Sequence, residues 1–118
     1  MMLFTHMDQL GLVVRKIEKN GYVRVERLGG VPERALAAQA VLFSIGEGRD
    51  VAGVIAHKSH HATGQDEKYK VVPYQDIYID AGFSSAEDVL ATGLRVLRSM
   101  IGQAVPWYWK RRAPWLLR

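Results

Sequence analysis

Residues 10–28 read Leu10-Gly11-Leu12-Val13-Val14-Arg15-Lys16-Ile17-Glu18-Lys19-Asn20-Gly21-Tyr22-Val23-Arg24-Val25-Glu26-Arg27-Leu28. Two β-rich runs, 10–17 and 22–28, flank Glu18-Lys19-Asn20-Gly21. Asn-Gly between such runs is the strongest short signal for a hairpin. In the second run Tyr22, Arg24 and Glu26 alternate with Val23, Val25 and Arg27, so one face is wet. The same grammar repeats outward. Gly29-Gly30-Val31-Pro32 is a turn, and 33–38 is a brief helical or irregular link. Strands over 39–45 and 51–57 flank a second hairpin loop at 46–50. Residues 58–69 form a polar loop, and 70–79 an extended segment interrupted by Pro73. Ser84-Ser85-Ala86-Glu87 has the form of a capping box, predicting a helix through Thr92 with Gly93 as its C-cap. Several short strands, two hairpins and one late helix predict a mainly β fold, most simply a small barrel.

Length and composition fit one globular domain: 118 residues, 48% hydrophobic and 24% charged. The absence of cysteine excludes disulfides and thiolate metal sites, leaving imidazole and carboxylate as ligands. Met1-Met2-Leu3-Phe4 lacks the charged start of a secretory signal, and no run approaches the ~20 apolar residues of a membrane span. The expectation is a soluble cytoplasmic protein without membrane partners. The net charge of +4 is unevenly spread. Residues 1–88 hold 10 Lys/Arg against 12 Asp/Glu; residues 89–118 hold six basic residues and no acidic one, with Trp107, Trp109 and Trp115. Such a stretch could touch nucleic acid or an anionic surface. The alternative, preferred here, is a segment from about Arg95 onward unrelated in origin to the rest.

Two short acidic signatures carry the chemistry. In His6-x-Asp8 the side chains share one face of an extended backbone, because strand side chains alternate. One can ligate a metal while the other orients a neighbour. Asp80, in Ile77-Tyr78-Ile79-Asp80-Ala81-Gly82, lies at the end of a strand-like run, where it can serve as a ligand or simply cap the following turn. His57, His60 and His61 lie in a polar stretch, where a solvated role is the ordinary one.

Taken in order, His6-Met7-Asp8-Gln9-Leu10-Gly11, Leu28-Gly29-Gly30, Gly53-Val54-Ile55-Ala56 with Lys58 and His61, Ile79-Asp80-Ala81-Gly82 and the helix at 85–89 resemble the di-metal glutamyl or deblocking aminopeptidases. These are also called tetrahedral aminopeptidases, and some members were once labelled cellulases. The resemblance runs from about Leu3 to Arg95. It implies an α/β zinc-peptidase domain interrupted by an inserted β-barrel. The chain then divides into a catalytic-domain strand remnant (1–9), the barrel insert (10–73), a return strand and helix (74–94) and a basic Trp-rich tail (95–118). The resemblance further implies His6 as a metal ligand, Asp8 as the carboxylate behind it, Asp80 as the bridge between two divalent ions (zinc or cobalt), and His61 near the substrate. The implied reaction is removal of N-terminal residues from peptides by a metal-activated water.

The family's Glu-Glu pair, later Asp and last His have no counterpart after Asp88, so this chain alone is expected to be inactive. Two rival roles follow from the barrel itself: an oligomerisation or interaction module, or a small basic nucleic-acid binder. The first strand and the strand ending at Asp80 are expected to present open edges. Self-association into a homo-oligomer, through those edges or through the barrel surface, is the consequence.

Overall fold

At the corner of the first hairpin the positive φ falls on Gly21 (+84°) and not on Asn20. The Gly21 N–H donates to the Glu18 carbonyl at 3.0 Å, and Glu18 N–H to Tyr22 O at 2.8 Å. This is a turn closed by a left-handed glycine, one residue longer than the two-residue Asn-Gly form. A Cβ on Gly21 would collide with the Phe83 carbonyl. In the computed structural model, which describes residues 10–46, 48–97 and 100–103, the hairpin joins β1 (Gly11–Ile17) to β2 (Val23–Leu28). A bulge between Val14 and Lys16 sets Arg15 aside, so Leu12 and Val14 face the core while Lys16 turns to solvent.

The second hairpin joins β3 (Ala40–Ser44) to β4 (Asp50–Ala56). β5 (Tyr78–Asp80) follows a long connection, then the helix α1 (Ala86–Ala91), then β6 (Met100–Gln103). Short 3₁₀ turns lie at Glu33–Ala35 and His60–Ala62. The extended segment expected over 70–79 shrinks to three residues. Pro73 opens a turn, its carbonyl accepting the Asp76 N–H at 3.0 Å. The helix is capped by Ser85, whose Oγ accepts the Asp88 N–H at 3.1 Å, and it ends at Gly93, φ +100°.

All strand pairs are antiparallel and close into a barrel in the order β1-β2-β5-β4-β3-β6. The fold is therefore mainly β with one short helix, as the sequence predicts. Its composition differs from the expected division, however. β5 lies between β2 and β4 rather than in a separate sheet, so it presents no open edge. β6 pairs with both β1 and β3 and closes the barrel, although it lies in the stretch read as a tail. The first strand of that reading and the tryptophans lie outside the described residues.

One core fills the barrel. Val14, Val23, Val25, Phe43, Ile55, Ile79 and Ile101 meet Leu36, Ile77, Val89 and Leu94 in a single cluster. Each such large side chain, fully buried, is worth roughly 1.5–3 kcal/mol. Gly53 faces this core. A Cβ there would sit 2.7 Å from Ile79 Cγ2 and 3.1 Å from Phe43 Cε2, so its lack of a side chain makes room for theirs.

The seam between β2 and β5 is thin, a single residue pair, Val23 with Ile79. Arg24 reinforces it. Its guanidinium donates to the carbonyls of Asp76 (3.3 Å) and Ile77 (3.2 Å), pairs with Glu18 at 3.5 Å, and lies over the Tyr78 ring.

Candidate functional site

His6 and Asp8 lie outside the described residues. In sequence they precede β1 by a few residues, and the first described residue is Leu10. Leu12 stands opposite Ile101 in the antiparallel β1–β6 pair. The same register brings Leu10 and Gln103 to one end of the barrel, side by side. The chain thus comes in and leaves at the same place. An apolar hollow of about 310 Å³ opens at this end, lined by Leu10, Val31, Leu36 and Val41 among others, with Leu10 59% exposed.

Asp80 closes β5. Its Oδ1 accepts the Gly82 N–H at 2.8 Å, an Asx-type turn in which Gly82 takes φ +78°. Across the sheet its neighbour is Val54. His61 sits in the His60–Ala62 turn, exposed, with its ring edge toward His60 at 5.7 Å between centroids. His57 Nδ1 lies 2.8 Å from the Lys58 carbonyl, which places the proton on that nitrogen. Among the described residues no three His, Asp or Glu side chains come together as a metal site.

The connection from β4 to β5 borders an open groove of about 830 Å³, whose lining includes Arg34, His57, Lys58, Glu67, Lys70 and Asp76. Its charges are largely matched internally. Lys58 Nζ meets Glu67 Oε2 at 2.9 Å, and Lys70 approaches Asp66 at 3.7 Å. The Lys58 ammonium, helped by the Gly64 N–H, holds the Glu67 carboxyl below its ordinary value. Lys16 does the same for Glu18 on the barrel wall. Tyr74 moves the other way: its hydroxyl donates to Glu26, which pushes its ionisation up, while Arg27 stacks on its ring at 4.5 Å. These contacts clamp the connection to β2.

Sequence reasoning missed Arg24 and Ile101. The arginine's partners are backbone carbonyls more than 50 residues away, which no local pattern reveals. Ile101 sits in a short run inside basic, Trp-rich sequence.

A closed antiparallel barrel whose two ends leave together is the build of an inserted module. The comparisons give that module its family. A family model described as M42 glutamyl aminopeptidase matches residues 1–107, so the likeness continues through β6 and past residue 95. The chain belongs to the M42 glutamyl aminopeptidase family. It is 37% identical over 108 residues to the lysyl aminopeptidase of Pyrococcus furiosus, an alignment covering 89% of this chain and 30% of that protein. Among solved structures it resembles the aminopeptidase APDkam598 of Desulfurococcus kamchatkensis, with a TM-score of 0.75 and 37% identity over 84% of this chain and 26% of that one. The TET1 peptidase of Pyrococcus horikoshii, described as assembling into a tetrahedron or a large octahedral shell, gives a TM-score of 0.68 at 29% identity, covering 80% of this chain and 28% of that one. An endoglucanase from Thermotoga maritima gives 0.60 at 29% identity, over 84% and 26%. The chain spans 24–30% of the length of the curated relatives it matches.

Of the metal ligands that the resemblance implies, Asp80 alone lies among the described residues, where its Oδ1 accepts the Gly82 N–H.

Proposed function

We propose that this chain is the barrel module of an M42 aminopeptidase. In this reading peptide hydrolysis belongs to segments that join the barrel at Leu10 and Gln103. The observation that carries it is the adjacency of those two points on paired neighbouring strands. A module threaded into another domain needs its ends together, and the β1–β6 register supplies that. His6 and Asp8, just ahead of β1, are the chain's contribution to the metal centre, the imidazole as ligand and the carboxylate as its orienting partner. Asp80 serves the turn at the end of β5. His61, exposed on the β4–β5 connection, is the substrate-side candidate.

The test is a peptidase assay on the purified chain with added Zn²⁺, Co²⁺ or Mn²⁺. No turnover above buffer is expected. Turnover that vanishes in both His6→Ala and Asp80→Asn would show instead that the chain holds a working centre. Titration with Zn²⁺ separates the residues further: His6→Ala should weaken binding, and Asp80→Asn should leave it unchanged.

The second element of the proposal is homo-oligomerisation, favoured by the assemblies described for the TET1 peptidase. The nucleic-acid alternative draws no support from the barrel wall. Lys16, Arg27, Lys58 and Lys70 each face a carboxylate, which lowers the field available to phosphates.

A further inference from the structure

Asn20 is the only asparagine of the chain, and a glycine follows it. It stands exposed at the corner of the β1–β2 hairpin, where its Oδ1 accepts the Tyr22 N–H at 3.3 Å. That bond spans Gly21 and folds the carboxamide back over the peptide link between Asn20 and Gly21. Gly21 has no Cβ to shield its nitrogen. An amide carbon and a main-chain nitrogen thus lie one ring closure apart, in contact with solvent. What restrains the nitrogen is its own hydrogen bond, the Gly21 N–H donating to the Glu18 carbonyl at 3.0 Å.

We propose that Asn20 is a self-modification site, which converts to aspartate and isoaspartate when the hairpin corner opens. The step needs only water. Hydroxide takes the Gly21 N–H proton, and the nitrogen attacks Asn20 Cγ to close a cyclic imide. Negative charge passes to Oδ1, the atom on which the Tyr22 N–H already bears. The side-chain nitrogen takes a proton from water and leaves as ammonia, which restores the hydroxide. Water then opens the imide. Cleavage of the Cγ–N bond gives aspartate with an ordinary backbone. Cleavage at the main-chain carbonyl gives isoaspartate, whose backbone runs through Cβ and Cγ. Ammonia is exchanged for water, and nothing is oxidised or reduced. Isoaspartate lengthens the corner by one carbon, for which the fold has no slack: even a Cβ on Gly21 would collide with the Phe83 carbonyl. The longer corner pushes Gly21 off Phe83 and loosens the segment that seals this end of the barrel.

The experiment incubates the full chain at neutral and at alkaline pH and follows isoaspartate by fragmentation mass spectrometry. The capped peptide of residues 18–22 serves as control. Conversion in the folded chain should rise with hydroxide and run about two- to tenfold slower than in the peptide, the factor for opening one hydrogen bond. Asn20→Ser should carry no isoaspartate. The isoaspartate fraction should unfold at a lower urea midpoint than fresh chain, whereas Asn20→Asp, with its ordinary backbone, should keep the fresh value. A folded chain still unmodified when the peptide is fully converted overturns the proposal, and so does isoaspartate that persists in Asn20→Ser. Equal rates in chain and peptide overturn the control by corner opening.

Discussion

Gly53 is the position where one methyl group does most harm. A Cβ there meets Ile79, Phe43 and the Asp80 carbonyl within 3.2 Å, and two of these are core side chains with no exposed end to swing away. Gly53→Ala should therefore cost about 1–3 kcal/mol by overpacking, read as a lower urea midpoint with an unchanged slope. Ser85 offers a milder case. Its Oγ satisfies the Asp88 N–H, and Ser85→Ala should cost about 1 kcal/mol, measured in the same way. The acid side follows from two carboxyls. Glu18 and Glu67 sit below the ordinary 4.5 because Lys16 and Lys58 favour their ionised forms. Their contribution is present above that value and is lost as pH falls through the lowered ones. Both are solvent-facing, so the loss is small, but Lys58→Met should flatten it in a urea series run from neutral to acid pH.

Among the elements, local signals and distant ones had different fates. The β1–β2 and β3–β4 hairpins and α1 were legible because each is written in neighbouring residues: alternation around a turn, or a serine set before an acidic first turn. β5 was legible in place but not in length, since Pro73 starts a turn that only the finished barrel reveals. β6 was not legible. Four residues long, it makes no hairpin, and its partners are Leu12, Val13 and residues 41–44, so nothing beside it in the chain marks it as a strand. The same limit applies to the candidate site. Asp80 reads equally as ligand or turn residue until its carboxylate is seen on the Gly82 N–H. Truncation after Arg95 tests β6 directly. It removes Ile101, 2% exposed, and unpairs β1 and β3. Loss of cooperative unfolding, with amide exchange accelerated in both strands, is expected.

At the scale of the molecule the barrel is a closed surface with two ends of different character. The end at the hairpin corners is sealed by the segment from Phe83 to Leu94: Phe83 presses on Gly21, and Val89 and Leu94 enter the core. The other end carries the hollow around Leu10 and the two chain connections. Arg24→Gln should discriminate seam from core. It removes the guanidinium that braces β2 against the approach to β5 while leaving Val23 and Ile79 buried. Faster exchange of β5 amides, with the global unfolding midpoint lowered only modestly, is the expected outcome.

Because β6 is inserted between β1 and β3, the cylinder cannot shut during synthesis until residue 103 has cleared the ribosome. Until then β1 and β3 wait on either side of a slot one strand wide, with backbone donors and acceptors bare. The nascent chain is most vulnerable to mispairing in that interval, and a pause in translation just short of codon 100 would lengthen it.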